Sequence, residues 1–221
     1  SQMRFEFTLT GTRAMLMHFD DVEWADEISD WRLDPNNTKQ KGEKSGDDRR
    51  PAHTWIGYLY HDTKNVVVPS ANLTSCLKKA GARVPMARQK TFKELAVSGI
   101  FLEDEFLRFT NAGKVIPVAP IHALAENRNF KEHVAAAKQM GFKLDVRRAA
   151  VGASKHVRVR PRFESWAVSG TLEVTAAEIT ADVLQSIFEQ AGRVGLGDWR
   201  PGSPKSPGPF GMFEAKVKGI K

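Results

Sequence analysis

The sequence predicts an α+β protein in which an antiparallel sheet carries two helices and long segments are inserted between its strands. Three observations predict this class. Residues 4–9 alternate apolar and polar side chains with the period of a half-buried strand, two later segments have the apolar spacing of amphipathic helices, and the last third of the chain alternates strand and helix patterns.

The first predicted strand covers residues 4–9, where Phe5, Phe7 and Leu9 alternate with polar residues. The polar stretch at residues 32–52 offers nothing that could anchor a core. We therefore expect residues 20–55 to be a mobile insertion.

A hairpin is predicted after this insertion. Ile56, Tyr58 and Tyr60 alternate before a turn at residues 62–65, and residues 66–68 form the return strand.

A short helix is predicted to begin with Ser70 as its N-cap and to end at Gly81. Its apolar face consists of Leu73, Cys76, Leu77 and Ala80. Lys78 and Lys79 lie in its last turn, where they either compensate the helix dipole or contact a phosphate. Residues 82–143 are predicted to form an inserted subdomain, with a strand within residues 97–107, another at 115–118 and a helix at 130–140.

The last third of the chain begins with a long predicted hairpin, residues 144–151 and 156–163 around a turn at 152–154. A further strand follows at residues 166–174. Thr175 to Glu178 has the spacing of a capping box. The helix after it is predicted to end at Gly192 and to bury Val183, Leu184, Ile187, Phe188 and Ala191. A final strand is predicted, with Phe213, Ala215 and Val217 on the face that points to the core.

This order of elements predicts a modified ferredoxin-like core, β-α-β-β-α-β, built from residues 3–19, 56–81 and 144–221. An RRM has the same order, so the core is also RRM-like, although the aromatic RNP1 signature is missing.

Composition excludes several classes of protein. The chain has 221 residues, a net charge of +7 and one cysteine, Cys76. A single cysteine cannot form an internal disulfide or a cysteine-based zinc site. The longest uncharged apolar stretch, residues 115–125, is shorter than the roughly 20 residues of a membrane span. We expect a cytoplasmic protein with no membrane contact, no cofactor and no metal.

The strongest local signal is a basic hairpin. Between residues 147 and 162 the chain has six positive charges and no acidic residue. These are Arg147, Arg148, Lys155, Arg158, Arg160 and Arg162. On a strand His156 shares a face with Arg158, Arg160 and Arg162, where like charges repel each other unless an anion lies across them. The hairpin is therefore either a nucleic-acid site or an edge strand guarded by charge.

The second signal is a glycine-rich segment between the last helix and the last strand. It contains Gly195, Gly197, Trp199 and Arg200, and a second glycine cluster follows at residues 208–213. Closely spaced glycines let the backbone approach another chain or a phosphate. Trp199 and Arg200 either stack on a base and pair with a phosphate, or pack the loop down.

These features together resemble the RAMP superfamily of CRISPR-Cas systems. The resemblance rests on the first strand, the entry at residues 69–73 into the short helix, and above all Gly195-Leu196-Gly197 with Gly208-Pro209-Phe210-Gly211-Met212-Phe213. It implies a ferredoxin-like core and a backbone subunit that binds single-stranded guide RNA, self-associating or joined by other subunits of a ribonucleoprotein complex. The proline-rich interruption at residues 203–207 departs from the family pattern.

The sequence leaves two other functions open. A metal-independent endoribonuclease that cuts CRISPR repeats would need a histidine, and His18 or His156 is the candidate. Neither has a diagnostic motif, and each is more simply a surface or packing residue, so we assign no catalytic residue. An oligomeric structural or anti-defence protein of a phage or mobile element also fits.

Overall fold

The computed structural model describes residues 3–37 and 46–221. Within these ranges nine strands and six α-helices form an α+β structure, as predicted, with more helices than the two of the expected core and the one expected at residues 130–140. The strands are β1 (Met3–Gly11), β2 (Met15–Leu16), β3 (Val67–Pro69), β4 (Ile100–Leu102), β5 (Phe106–Asn111), β6 (Lys143–Val151), β7 (Ser154–Phe163), β8 (Trp166–Val174) and β9 (Phe213–Ile220). The helices are α1 (Val22–Leu33), α2 (Ser70–Gly81), α3 (Leu95–Ser98), α4 (Ala119–His122), α5 (Phe130–Gln139) and α6 (Ala181–Val194).

The chain forms two compact units. Unit 1 consists of Ser1–Met15, Val66–Ile116 and Phe163–Lys221, and unit 2 of Leu16–Asn65 and Pro117–Arg162.

Unit 1 is built on an antiparallel sheet with the strand order β3-β5-β8-β1-β9, and β4 also pairs with β8. Phe5, Phe7 and Leu9 of β1 are buried, as their alternation predicts. The ring of Phe7 lies 5.5 Å from that of Phe188 on α6, and α2 packs against α6. The core of unit 1 therefore lies between the sheet and these two helices.

Both helices bury the predicted residues except Val183 of α6, which is half-buried, and both begin elsewhere. Pro69 caps α2, and Ser70 is its first residue. In α6 the cap is Thr180, whose hydroxyl accepts a hydrogen bond of 3.3 Å from the N–H of Val183. The predicted capping box at residues 175–178 is wrong, because this later threonine takes the capping role.

The predicted strand at residues 56–60 is also wrong. A 3₁₀ helix occupies Thr54–Tyr58, and Trp55, Ile56 and Gly57 are all buried. Consecutive buried residues need apolar surroundings on every side, whereas a half-buried strand exposes every second residue. The predicted turn at residues 62–65 is confirmed by hydrogen bonds from the backbone N–H groups of Lys64 and Asn65 to Asp62.

The second sheet has the strand order β2-β7-β6 and lies in unit 2 except for its terminal residues Met15 and Phe163, and the long hairpin predicted in the last third of the sequence is confirmed as β6–β7. Residues 20–55, expected to be a mobile insertion, include the helix α1, and residues 38–45 lie outside the described part. The expectation that nothing at residues 32–52 anchors a core is wrong, because Asp48 and Ala52 are buried.

The units differ from the predicted domain boundaries in two places. β4 and β5, predicted within the inserted subdomain at residues 82–143, pair with β8 in unit 1. The hairpin β6–β7, predicted within the core segment at residues 144–221, belongs to unit 2. Pairing between strands that are distant in sequence leaves no local periodicity, so the sequence pattern does not reveal it.

Candidate nucleic-acid interface

One face of the β6–β7 hairpin collects the arginines. The strands pair with Arg147 opposite Arg158 and Asp145 opposite Arg160, and residues opposite each other in an antiparallel pair share a face. The intervening Val159 is buried. We define the basic face as the five cationic side chains on this side of the hairpin, Lys143, Arg147, Arg158, Arg160 and Arg162.

Two of these arginines share one buried carboxylate. Asp145 is 8% exposed, and its Oδ1 lies 2.7 Å from Nε of Arg147. Its Oδ2 accepts a hydrogen bond of 3.1 Å from Nη1 of Arg162. Charge-assisted bonds of this kind fix the plane of a guanidinium group. Arg147 and Arg162 are therefore held in place before any ligand arrives.

A second buried carboxylate, Asp48, holds Arg158. Asp48 is 2% exposed, and its Oδ1 lies 3.6 Å from Nη1 of Arg158. Its Oδ2 accepts hydrogen bonds from the Tyr58 hydroxyl at 3.0 Å and from the Val159 N–H at 3.1 Å. Burial, with the Asp48 carboxylate as the next largest cause, raises the pKa of Tyr58 to about 12, so the phenol stays protonated and donates.

The segment that contains Asp48 runs beside β7. The N–H of Asp48 donates to the carbonyl of Val157 and the N–H of Val157 donates to the carbonyl of Gly46, both at 3.0 Å. Gly46 has a φ of +75°, and a Cβ there would collide with the imidazole of His156. The half-buried His156 therefore packs against backbone.

These contacts change the interpretation of the basic hairpin. In space it is not free of acid, because two buried carboxylates accompany the five cations of the basic face. The repulsion between like charges is offset by the protein itself, so it does not by itself require an anionic ligand. The side chains of Arg147, Arg158 and Arg162 still keep 39%, 28% and 27% of their surface exposed.

Arg148 and Lys155 lie on the opposite face of the hairpin and are exposed. Neither makes an ion pair with a residue in the described ranges. They are diagonal neighbours on this face, which also carries Val146 with 44% of its surface exposed.

In unit 1 the two glycine clusters pack backbone against backbone. Gly211 has a φ of +75°, its carbonyl accepts a hydrogen bond of 3.0 Å from the N–H of Leu196, and a Cβ at this position would collide with the Leu196 carbonyl oxygen. Gly195 and Gly197 both have a φ of +82°, a conformation that side chains disfavour. The glycines therefore fold this loop onto itself.

The loop side chains are engaged within the loop. The ring of Trp199 lies 5.4 Å from that of Phe210, and its Nε1 donates to the carbonyl of Pro207 at 3.2 Å. Arg200 donates to the carbonyl of Gly197 at 2.9 Å. Of the two alternatives for Trp199, these contacts are those of a side chain that packs the loop down.

Lys79 reaches the same loop, whereas Lys78 is exposed. Nζ of Lys79 donates to the carbonyl of Gly202 at 2.8 Å. Burial lowers the pKa of Lys79, and the nearby positive charge of Arg200 lowers it further. Two cations are thus concentrated at the glycine-rich loop of unit 1.

The structure brings the predicted site residues together in two groups. The hairpin residues belong to unit 2, and Lys78, Lys79 and the glycine-rich loop belong to unit 1. The carboxylates of Asp48 and Asp145 are the members that the sequence analysis missed. Asp145 stands two positions before the acid-free window, and no local signal connects Asp48 with β7.

Two of the histidines pack against aromatic side chains. His18 packs on Tyr58 with ring centres 4.2 Å apart. His133 is buried, accepts a hydrogen bond from Nε1 of Trp55 at 3.0 Å and lies 2.7 Å from the carbonyl of Asn127. Across residues 3–37 and 46–221, no group of three or more histidine, cysteine or acidic side chains could hold a metal ion.

No protein-family model matches this chain, and no curated protein is similar to it. Among the helices in the described ranges, none is both long and apolar enough to cross a bilayer.

Proposed function

We propose that this protein binds single-stranded RNA through the phosphate backbone, without cleaving it, as a subunit of a ribonucleoprotein assembly of the RAMP type. The observation that carries the proposal is the basic face, where five cations share one side of a hairpin and three of them pair with the buried Asp145 of the hairpin or with Asp48 of a neighbouring segment. Arg148 and Lys155 extend the positive charge to the other side of the same hairpin.

The buried carboxylates prepare the arginines for phosphate. A long flexible side chain loses rotamer entropy when it binds, and Asp145 and Asp48 have already restricted Arg147, Arg162 and Arg158. The exposed part of each guanidinium has the planar donor geometry that suits phosphate oxygens. Contacts of this kind read no base, so we expect weak sequence preference and a strong dependence on salt.

The topology of unit 1 supports a ferredoxin-like core as part of the proposal. Between β1 and β5 the chain passes through α2, and in the sheet these two strands flank β8. Between β8 and β9 it passes through α6, and these strands flank β1. Two such split β-α-β connections form the ferredoxin-like unit. The segments of unit 2, residues 16–65 and 117–162, are then its insertions.

The glycine-rich loop is proposed as a second site of contact with the RNA strand. Arg200 and Lys79 supply its charge, and the resemblance to RAMP proteins suggests that this loop holds RNA. Its contribution is testable separately, because its residues and the hairpin belong to different units.

Fluorescence anisotropy with a short labelled RNA tests the proposal. The test variant is Lys143→Ala with Arg147→Ala, which removes two cations of the basic face and leaves Asp145 paired with Arg162. The matched control is Lys216→Ala with Lys218→Ala, which removes two exposed charges from β9 in unit 1. The test variant and the control variant then have the same net charge.

We expect the hairpin variant to bind RNA at least about tenfold more weakly and to lower the slope of log affinity against log salt by about 0.7 for each lost contact. The control should stay near wild type. Equal effects in both variants would mean that only net charge matters, and the site would be wrong. Incubation with RNA in EDTA should leave the RNA intact, and cleavage would favour the endoribonuclease instead.

A further inference from the structure

A cavity of about 150 Å³ in unit 2 adjoins the basic face, because Arg158 contributes to its wall. His18, Trp24, Ala25, Asp48 and Tyr58 also line it. An engineered protein cavity of about 150 Å³ binds benzene, so a space of this size suits a single six-membered ring and is too small for a whole nucleotide.

The walls of the cavity are aromatic and polar. The rings of His18 and Tyr58 are packed 4.2 Å apart, and both line it. The indole of Trp24 lines it as well. A purely apolar cavity would select a hydrocarbon, whereas this lining selects a ring that also forms hydrogen bonds.

One donor in this wall lacks an acceptor. Nε1 of Trp24 is buried and has no hydrogen-bond partner among the described residues. Its accessible surface is negligible and the indole edge packs against Gly57, so a ligand oxygen becomes its acceptor only when the ring turns away from that glycine. The exposed carboxylate of Asp20 on the same wall is free to face a ligand N–H, whereas the buried Asp48 is already engaged by Tyr58, Val159 and Arg158.

We propose that this cavity takes one pyrimidine base. A pyrimidine has a single six-membered ring, a carbonyl oxygen for the Trp24 N–H, and a ring N–H or amino group for a carboxylate. The inference deepens the proposed function, on which it rests for the source of the base. A strand whose phosphates contact Arg158 brings its bases to this cavity, since Arg158 belongs to both. Stacking against aromatic side chains then adds to the affinity.

The direct test uses nucleoside monophosphates and intrinsic tryptophan fluorescence. We expect uridine or cytidine monophosphate to quench the fluorescence at concentrations at least about fivefold lower than adenosine monophosphate, because the purine exceeds the cavity. Trp24→Phe removes the donor and the reporter, and Trp31→Phe is the control, since Trp31 lies in unit 2 and does not line this cavity. Only the first variant should lose the pyrimidine-specific quenching.

A second variant protects the test against misfolding at Trp24. Ala25 is exposed on α1 and lines the cavity, so Ala25→Phe fills it from a tolerant position. We expect this variant to abolish the pyrimidine response while its unfolding transition stays close to wild type. Quenching that persists in Ala25→Phe would overturn the proposal.

Oligonucleotides separate this inference from the proposed function. Oligouridine RNA should bind the wild type about fivefold or more tightly than oligoadenine RNA, and Ala25→Phe should remove the difference but keep the salt-dependent binding. Equal affinity for both RNAs, with no monophosphate response, rejects the base site and leaves backbone binding intact. A monophosphate response without any RNA binding rejects the proposed function and retains the pyrimidine site.

Discussion

The carboxylate of Asp48 accepts a hydrogen bond of 3.1 Å from the backbone N–H of Val159, which follows it by 111 positions. This bond joins the short segment after the undescribed residues 38–45 to the middle of β7. Because the same carboxylate contacts Tyr58 and Arg158, one buried acid connects the basic face, the cavity and the 3₁₀ helix at Thr54–Tyr58. The position of Arg158 and the packing around Tyr58 and Val159 therefore depend on one side chain.

Asp48→Asn should destabilise the protein by about 2 kcal/mol, because the amide cannot satisfy three donors and leaves the partly buried Arg158 without its counter-charge. The measurement is urea unfolding followed by circular dichroism. Asp47→Asn is the control, since Asp47 pairs with Arg49 near the surface and its loss should cost less than about 1 kcal/mol. Equal losses would show that the Asp48 contacts have no special weight.

Gly211→Ala should destabilise the protein by about 3 kcal/mol, at the upper end of common substitutions. The new Cβ meets both an unfavourable φ of +75° and the carbonyl oxygen of Leu196. Gly113→Ala is a matched control, because Gly113 has the same φ and nothing within 4 Å of the Cβ position. It should lose only the conformational part, about 1 kcal/mol. If both variants lose the same amount, the close packing of the two glycine clusters is wrong.

The sequence pattern predicted the elements whose periodicity is local. The first strand, the apolar faces of α2 and α6 and the β6–β7 hairpin all follow from the spacing of residues such as Phe7, Leu73 and Phe188. It failed where long-range contacts decide the structure. Residues 56–60 alternate like a strand, yet Trp55, Ile56 and Gly57 are all buried and the segment forms a 3₁₀ helix.

In the candidate site, too, the sequence predicted what depends on local periodicity and missed what depends on long-range contacts. Alternation along β7 placed the arginines on one face correctly, because strand geometry is local. Whether the positive charge of Arg158 on that face is compensated depends on Asp48, which lies beside β7 only once the chain has folded. Trp199 illustrates a further limit, since its packing on Phe210 depends on how the two glycine clusters meet.

His53 should make the stability of the protein fall as the pH decreases below neutral. It is 7% exposed, and burial lowers its pKa below the ordinary 6.5, with Glu27, 4.0 Å away, and Glu126 opposing this effect and His133 and Arg128 adding to it. The unfolded chain therefore takes up a proton at a higher pH than the folded chain. Stability is fully present above the unfolded pKa and is lost as the pH falls through it, until the folded pKa is passed.

His53→Gln tests this expectation, because it removes the titrating group and should flatten the fall in the free energy of unfolding between about pH 7 and pH 5. His122 contributes to the residual slope, since burial and the neighbouring His61 also lower its pKa. Urea unfolding at a series of pH values gives the measurement. A variant whose slope matches the wild type would show that His53 does not control the acid sensitivity.

Cys76 should be unreactive in the folded protein and should report on the opening of unit 1. Its Sγ donates to the carbonyls of Ala191 and Gly195 at 3.4 Å, and burial raises its pKa to about 12. Since the thiolate is the reactive form, a disulfide reagent at pH 8 should modify the thiol only through unfolded or opened molecules. Cys76 is the single cysteine of the chain, so absorbance of the released thiol follows one site.

Gly211→Ala links this readout to the glycine-rich loop. The carbonyl of Gly195 accepts a hydrogen bond from the Cys76 thiol, and the next residue, Leu196, contacts Gly211. Strain at Gly211 therefore reaches the backbone that shields the thiol from solvent. A loss of about 3 kcal/mol corresponds to labelling at least about a hundredfold faster when opening and closing are fast compared with labelling. Gly113→Ala should accelerate labelling by about tenfold or less. Rapid modification of the wild-type protein would show that the thiol is not buried between α2 and α6.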